Sequence, residues 1–584
     1  MPAFKWSSLL THKNRHLYPL AVLAVITVVC MPFILLGVQT GHSLALNISW
    51  ANGFIGQFWD GELYPRWLVD MNEGAGSPVF FFYGPLPFYL MAPVVLFCPG
   101  CEINIVLGIT GWLIMAMSGL AFYVFARQYA APLASTIGSL LYVFMPYHFA
   151  VDLLIRQAIG EIAAYIWIPL ILYFTRKMAG DRFSVIGFAF SYACLILSHL
   201  PSALLFSMFL PLYAGFLAYQ NRSPAQFYVF LSGVLLGMAL AGIYLVPAVL
   251  SQGYITASQW WVPEYQYHQW FFLDGVAAPN PQFGDGLFLA LLFSTLVFCG
   301  VWLVAFRQHE AKERASLFVW LLFAAGAWYL MTPVSRFLWE LLPFLYKVQF
   351  PWRVAVVLDF AVAITFVVAM RDVPVGENKK FVLISSLAAV LLIVSGGFGA
   401  VHFVGQWKMS QSAEYQERFQ DVISMGHDAS EYLPASATLP QSEIWRHLKS
   451  ISRIGLDADN GRASVTKWKA RDIVLDVDLS AETKLIVRQF YYPGWQARIA
   501  GGGGAVTIAP AGPAGLIELI APPGRYRLEL ALGWSLQELA GVAISVSGLL
   551  IVSFILFLRF LRRWQYQFPW GLRGFNAIST VGRR

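Results

Sequence analysis

Residues 78–97 read Pro78-Val-Phe-Phe-Phe-Tyr-Gly-Pro-Leu-Pro-Phe-Tyr-Leu-Met-Ala-Pro-Val-Val-Leu-Phe97. The stretch is apolar and about as long as a bilayer crossing, yet Pro78, Pro85, Pro87 and Pro93 interrupt it. Each proline removes a backbone donor and clashes with the preceding turn. How this stretch is read sets the topology of everything after it. Apolar windows of the length a membrane helix needs, about 17–25 residues, fall near 17–39, 103–126, 132–148, 160–175, 184–199, 201–219, 226–250, 286–306, 315–332, 353–370, 381–404 and 537–558. Basic residues gather at alternate connections: Arg127; Arg176, Lys177 and Arg182; Arg222; Arg307, Lys312 and Arg314; Arg371, Lys379 and Lys380; and Arg559, Arg562 and Arg563. Cytoplasmic loops carry such an excess. The alternation survives only if 78–97 does not cross fully. We therefore read that stretch as interfacial or re-entrant, with both termini cytoplasmic.

Composition leads to the same class. Apolar residues make up 58% of the chain, charged residues 12%, and mean hydropathy is +0.61, against about 45–50% apolar and about 25% charged in soluble domains. The expected fold is a polytopic α-helical membrane protein of about twelve transmembrane helices. The first window follows Lys5, Lys13 and Arg15 but is too long for a signal-peptide core and lacks a small-residue cleavage site near its end, so it is read as a retained helix. Cys30, Cys194 and Cys299 lie inside apolar segments. Cys98-Pro-Gly-Cys101 has pair spacing without the further ligands of a zinc site, which points to a turn or a local disulfide.

Three domains follow. Residues 1–404 form the multi-helix membrane domain, with a catalytic-type first exoplasmic loop at 40–102. Residues 405–536 depart from membrane composition: 409–432 is polar and helical in pattern, then strand-like runs appear at Ile473/Leu475/Val477, Lys484 to Phe490, Ala505 to Ile508, Leu516 to Ile520 and Tyr526 to Leu532, with turns at Gly501–Gly504 and Pro522-Pro-Gly524. This predicts an exoplasmic β-sandwich-like domain of roughly 70–130 residues, acting as a lid or spacer or as a carbohydrate binder. Residues 537–584 hold the final transmembrane helix and a basic cytoplasmic tail. The other exoplasmic connections are placed at about 149–159, at the corner His199-Leu-Pro201, at 251–285 and at 333–352.

The polar residues of these connections are the candidates for chemistry. Asp60 and Glu62 stand among Trp59, Tyr64 and Trp67 in Asp60-Gly-Glu-Leu-Tyr-Pro-Arg-Trp67. They suit a general base beside stacking aromatics, although an exposed loop acid is usually only solvated. Arg66 could hold a phosphate through its planar fork or pair with a neighbouring carboxylate. Asp152 and Arg156 are an i,i+4 pair, and Glu161 enters an apolar span, where ionisable groups are costly and are functional candidates; the alternative is a structural Arg156–carboxylate lock. His199 is a proton shuttle, a phosphate contact, or a side chain donating to a nearby carbonyl. Gln349, Trp352 and Arg353 open a span that contains Asp359, and Arg353 needs an anionic partner, either Asp359 or a lipid phosphate. Trp260, Trp261, Tyr265, Tyr267, His268 and Trp270 form either a sugar platform or an interfacial aromatic belt. The sequence has no P-loop, no GxGxxG after a strand and no HExxH, and its basic tail flanks a membrane helix and is not interleaved for nucleic acid.

Gly61-Glu-Leu-Tyr-Pro-Arg-Trp67, Gly74-Ala-Gly-Ser-Pro78, Phe82-Tyr83-Gly-Pro-Leu-Pro87, Asp152-Leu-Leu-Ile-Arg156-Gln-Ala-Ile-Gly-Glu161, Ser198-His199 and Gln349-Phe-Pro-Trp-Arg353 resemble bacterial multi-pass proteins of the 6-pyruvoyl-tetrahydropterin-synthase-related type. Tyr492-Pro-Gly-Trp495 resembles the YfhO-like membrane proteins. Both sets are similar to class C (GT-C) glycosyltransferases. The pterin label implies no pterin chemistry here, since these residues form neither a metal triad nor a soluble pterin pocket. The resemblance implies an enzyme of the bacterial cytoplasmic membrane that moves a sugar from a polyprenyl-phosphate donor to a glycan, lipid or protein acceptor on the exoplasmic face. Its partners would be membrane lipids, donor and acceptor, with no nucleic acid. Asp60, Glu62, Asp152 and Glu161 would be the catalytic acids, with Asp60 or Glu62 as base. Arg66, Arg156, His199 and Arg353 would meet the donor phosphate, and Trp59, Tyr64, Trp67, Tyr83, Gln349 and Trp352 the substrate. The resemblance implies no certain cofactor and no metal-ligand set is legible, though a divalent metal is compatible with the chemistry. Related chains tend to carry an Asp just after the first helix, where this one reads Gly41-His42-Ser43; either another loop acid substitutes or the chain is not catalytic. The competing class is a non-catalytic membrane protein: a transporter, a lipid-handling protein or an envelope-assembly partner. A transporter would show paired broken helices, and 78–97 has no evident counterpart.

Overall fold

The computed structural model describes residues 16–256, 266–274, 281–308, 311–371, 379–426, 428–457 and 459–567. Every apolar window of the sequence meets a helix. Among the described residues, eight helices are long and apolar enough to cross a membrane, or ten if each of two bent pairs counts as one span. About twelve were expected. The difference comes from Ser184–Ser198, which has only 15 residues, and from Lys379–Ser410, whose apolar part is confined to Leu383–Gly397. The bent pairs, Pro224–Leu240 with Gly242–Leu250 (76°) and Arg314–Leu330 with Pro333–Leu341 (85°), are broken helices that apolar windows do not reveal. So 78–97 is not the only interrupted segment.

The proline-rich stretch folds as two short helices, Val79–Phe82 and Leu86–Phe97. The longer one has 12 residues. At about 1.5 Å per residue it rises about 18 Å, short of the roughly 30 Å hydrocarbon core. Cys98 and Cys101 are bridged by a disulfide at its end. The connection expected at about 149–159 is not a loop. Residues Pro146–Arg156 continue the preceding helix as a π-helix, closed by Gln157 in the left-handed region (φ 54°), and only the turn to the next helix, Ile159–Lys177, is irregular.

Helices Leu17–Leu36 and Ile103–Ala126 pack closely because Gly108 presents no side chain: a Cβ there would lie 2.0 Å from the Phe33 carbonyl oxygen. The first and last spans are 22% and 17% buried, and Leu20, Val28, Leu35, Leu549, Leu550 and Phe554 point outward, as lipid-facing residues do. By contrast Pro351–Ala369 is 94% buried, so it is the central post of the bundle. Arg559 stands 3.4 Å from Asp181, which puts the far end of the last helix beside the turn that carries Arg176, Lys177 and Arg182.

After the polar helices Ala413–Ser424 and Gln441–Ser450 come nine strands: β1 (Ile454–Leu456), β2 (Gly461–Lys469), β3 (Asp472–Leu479), β4 (Thr483–Phe490), β5 (Trp495–Ile499), β6 (Ala505–Val506), β7 (Ile508–Ala511), β8 (Leu516–Ala521) and β9 (Gly524–Leu532). They form two antiparallel sheets, ordered β1-β4-β8-β7 and β2-β3-β9-β5-β6. The inward alternation of Ile473, Leu475 and Val477 meets Leu485, Val487, Leu516, Leu519, Leu528 and Leu530, all buried. β2 carries no such alternation and is largely exposed, which is why sequence patterning passed over it. The same core takes in Trp67, Val69, Ala75 and Phe81 from the first loop.

Candidate functional site

The turn between Pro146–Arg156 and Ile159–Lys177 brings four charges together. Arg156 Nη1 donates to Asp152 Oδ1, to Glu161 Oε2 at 2.8 Å and to the Tyr147 hydroxyl at 3.3 Å. Tyr147 in turn donates to Glu161 Oε1 at 2.6 Å. Arg353, on the single turn Pro351–Val354 that opens the central post, places Nε 3.5 Å from Glu161 Oε2 and donates from Nη1 to the Val348 carbonyl at 2.7 Å. Asp152 and Glu161 are 0% and 1% exposed. Two acids therefore balance two guanidinium groups in a setting where an unpaired charge costs several kcal/mol.

The walls of this quartet come from distant segments. The Arg156 guanidinium lies 4.6 Å from the Trp352 ring, which packs with Phe350, Trp270 and Phe283. His42 meets Phe283 at 5.7 Å, and the backbone N–H groups of His42 and Ser43 donate to the carbonyls of Ile155 and Arg156. Thus the segment after the first helix is bonded to the turn that carries the arginine. Gly160, just before Glu161, is flanked by Tyr83 Oη and His199 Cδ2, at 3.1 and 3.5 Å from where a Cβ would stand. His199 Nδ1 accepts the Ser202 N–H and meets the Ser202 hydroxyl at 2.8 Å, capping the helix Leu200–Ser207. It is thus an acceptor to a backbone amide, not a donor to a carbonyl. Tyr83 packs on Trp50 at 4.8 Å.

The structure thus gathers Asp152, Arg156, Glu161, His199, Arg353, Trp352 and Tyr83. Gln349 shapes the left-handed turn (φ 69°) before Pro351. Asp359 is not the partner of Arg353: it accepts from the His148 N–H (3.1 Å) and the Tyr165 hydroxyl (3.2 Å) deeper in the bundle. Tyr267, His268 and Trp270 form a short helix against the aromatic wall; Trp260, Trp261 and Tyr265 lie outside the described residues.

The first-loop candidates sit elsewhere. Asp60 is exposed at the end of Leu44–Trp59, and Trp59 is 48% exposed beside it. Glu62 accepts from Gln57 (3.2 Å) and lies 3.6 Å from Arg471. Burial pushes its carboxyl above the usual carboxylate range, and the Arg471 guanidinium opposes that rise. Arg66 is 1% exposed and takes the second of its two sequence readings, a pair with Glu538 at 3.0 Å, with Nη2 on the Ile243 carbonyl and the plane over Tyr64 at 4.1 Å. Tyr64 itself donates to the Phe80 carbonyl. Trp67, expected to face substrate, is 0% exposed: Nε1 donates to Gln489 Oε1 at 2.9 Å, and its ring packs on Tyr492 and Trp495. Gln489 Nε2 returns two bonds to the Val69 and Gly74 carbonyls. Gly76 (φ 85°) is required here, since a Cβ would lie 2.6 Å from the Trp67 ring. These residues fasten the loop into the sandwich.

Sequence reading missed Tyr147, Arg471, Asp428 and Glu538. Only Glu538 had a local signal, the capping box Ser535-Leu-Gln-Glu538, which the structure forms (Ser535 N–H to Glu538 Oε2, 2.9 Å). Asp428 is a second fastening. It accepts from Trp50 Nε1 (2.9 Å), Asn72 Nδ2 (3.2 Å) and the Ala429 N–H (2.9 Å). Burial raises its proton affinity despite these donors. Since the folded carboxyl then binds its proton more readily than the unfolded one, this group's contribution is fully present below the unfolded pKa and is lost as pH rises through the folded one. Asp428→Asn is expected to flatten that part of the pH dependence of the melting temperature in detergent. An unchanged slope would contradict the assignment.

A family model for the 6-pyruvoyl-tetrahydropterin synthase related domain, described as a membrane protein, matches residues 80–409, more than half of the chain. The chain belongs to that family. Within the family match lie Tyr83, the whole quartet and His199, whereas Asp60, Glu62, Arg66, Trp67 and the sandwich fall outside it. No curated protein matches this family member. Among solved structures it is similar to the archaeal oligosaccharyltransferase AglB from Archaeoglobus fulgidus in complex with an inhibitory peptide and a dolichol-phosphate, at 12% identity and a TM-score of 0.40, covering 72% of this chain and 61% of that one. The apo form of the Archaeoglobus fulgidus oligosaccharyltransferase gives 12% identity and 0.39, covering 72% and 62%. The family member thus spans about three fifths of those chains, and a likeness of this degree carries no argument about chemistry. Among the described residues no three His, Cys, Asp or Glu side chains are grouped as a metal ion would require.

Proposed function

We propose that the chain is a membrane glycosyltransferase that uses a sugar carried on a polyprenyl phosphate, and that the Asp152–Arg156–Glu161–Arg353 quartet is its reaction centre. The observation that carries this reading is Glu161 held between two arginines inside the bundle, at the end where the sandwich is fastened. Arg353 Nε, 3.5 Å from Glu161 Oε2, makes no hydrogen bond, and at 12% against 9% its side chain is the more exposed of the two guanidinium groups, which favours it as the one that meets a phosphate. Stabilising the leaving phosphate is the electrostatic part of such a transfer. Asp152 Oδ2 also has no hydrogen-bond partner, which suits it to accept the proton of an acceptor hydroxyl. Glu161 orients both arginines, and Tyr83 and His199 border the approach. The sandwich end is then the exoplasmic face, and the sugar acceptor is a glycan, lipid or protein of the envelope.

A comparison of lipid-linked sugars and envelope glycans between a deletion strain and its parent tests the reading, with the gene restored as wild type or as Arg353→Lys. The expected result is accumulation of a lipid-linked sugar on deletion, reversed by wild type and not by Arg353→Lys, because a point charge does not reproduce the guanidinium fork. Identical profiles in all strains would favour the non-catalytic reading, in which the mutually balanced quartet is a structural lock.

A further inference from the structure

A second charged cluster lies in the seam between the first loop, the sandwich and the last helix. Arg66 and Arg471 both bind Glu538 Oε1, at 3.0 and 2.7 Å, and Glu62 stands 3.6 Å from Arg471. The two guanidinium groups lie between the rings of Phe81 (5.9 and 5.8 Å) and Trp534 (5.5 and 5.3 Å). Glu538 is fully engaged, since its other oxygen accepts the Ser535 N–H. Yet Arg66 Nε, Arg471 Nη1 and the Tyr492 hydroxyl are buried donors without a hydrogen-bond partner, and Glu62 Oε1 is a buried acceptor without one. Arg66 and Tyr492 are 1% and 3% exposed, and the Tyr492 ring packs on Phe81 at 5.3 Å. Native interiors leave few such groups, and a cluster of them in one place calls for an occupant that supplies acceptors.

The position of the seam says what kind of occupant. Glu538 begins the apolar helix Leu536–Leu561, so the arginines stand at the depth of lipid headgroups. Leu63, Trp534 and Leu536, beside the cluster, are 78%, 54% and 81% exposed, as side chains that meet the acyl boundary are. The cluster also reaches the surface, since the Arg471 and Glu62 side chains are 17% and 24% exposed. We propose that this seam binds the phosphate of an anionic membrane lipid. The phosphate oxygens accept from Arg471 Nη1, Arg66 Nε and the Tyr492 hydroxyl, while the acyl chains lie against Leu63, Trp534 and Leu536. Bound there, the lipid would cement the sandwich to the membrane domain, a role independent of the quartet.

The test uses the full chain in nanodiscs of phosphatidylcholine with or without phosphatidylglycerol, reading retained lipid by native mass spectrometry after transfer to detergent. Wild type is expected to retain phosphatidylglycerol in preference to phosphatidylcholine. Tyr492→Phe keeps the packed ring and removes only a hydroxyl that has no protein partner; it and Arg471→Gln should each lower that retention roughly tenfold, the effect of one charge-assisted hydrogen bond. Retention unchanged in Tyr492→Phe would overturn the proposal. So would the absence of any preference for the anionic lipid, which would mean ordered water only. A thermal shift of wild type by inorganic phosphate as large as that by the lipid would overturn it too, by making the site one for free phosphate.

Discussion

Glu161→Gln is expected to abolish lipid-linked sugar transfer and to lower stability by about 3–5 kcal/mol, the usual result of removing one member of a buried ion pair. The variant is nearly isosteric, so packing is kept. What is lost is the negative charge that Arg156 and Arg353 share at 2.8 and 3.5 Å and the acceptor of the Tyr147 hydroxyl. Two arginines are then left with Asp152 alone. Thermal unfolding in detergent, followed by intrinsic fluorescence, checks the stability arm, and lipid-linked sugar levels check the other. An Arg156→Met/Glu161→Leu double variant separates the two roles. A neutral apolar replacement of a buried pair can restore stability but should not restore transfer. Recovery of both would leave the quartet with no function beyond folding.

Trp67→Ala should loosen the sandwich from the membrane domain at a cost of about 3–5 kcal/mol, the range for removing a large buried aromatic. The indole is wholly buried, fills the space between Tyr492 and Trp495, and holds Gln489 in the geometry that returns bonds to Val69 and Gly74. Its loss leaves a cavity and an unpaired amide oxygen together. Limited proteolysis should then cut at the 425–435 connection, which in the wild type is bonded to Asn72, Glu73 and Thr256. A protease pattern identical to wild type would mean that the loop is not what holds the sandwich.

The fold was legible where local chemistry decides it. Apolar windows located the helices, and prolines marked the break that divides 78–97 into Val79–Phe82 and Leu86–Phe97. The alternation 473/475/477 and the Pro522-Pro-Gly524 turn announced the sandwich. What stayed hidden depends on partners far away in sequence. Trp67 reads as a loop aromatic until Gln489, 422 residues on, is seen to accept its N–H. Arg66 has two readings in sequence, a phosphate ligand or the partner of a carboxylate, and that carboxylate is identified only when Glu538 arrives from the last helix. The connection expected at about 149–159 holds Asp152 and Arg156, which look like polar loop residues in sequence but lie on the π-helix Pro146–Arg156 and are buried in the bundle. For Arg353 the sequence offers Asp359 or a lipid phosphate as anionic partner, and the fold adds a third that chain proximity does not reveal, Glu161. Glu161 and Asp359 stand out in sequence for a different reason, since the cost of placing an acid within a span needs a compensating partner.

The central claim is that the reaction centre is the quartet and not the first-loop acids. It is tested most directly by restoring a deletion strain with Asp152→Asn or with Asp60→Asn/Glu62→Gln, each at matched levels of folded protein, and measuring turnover of the lipid-linked sugar. Losing a positioned base typically costs about 10²–10⁴ in rate. The account predicts a loss of that size for Asp152→Asn and near wild-type turnover for the first-loop pair. Full turnover with Asp152→Asn and its loss in the Asp60/Glu62 variant would contradict it.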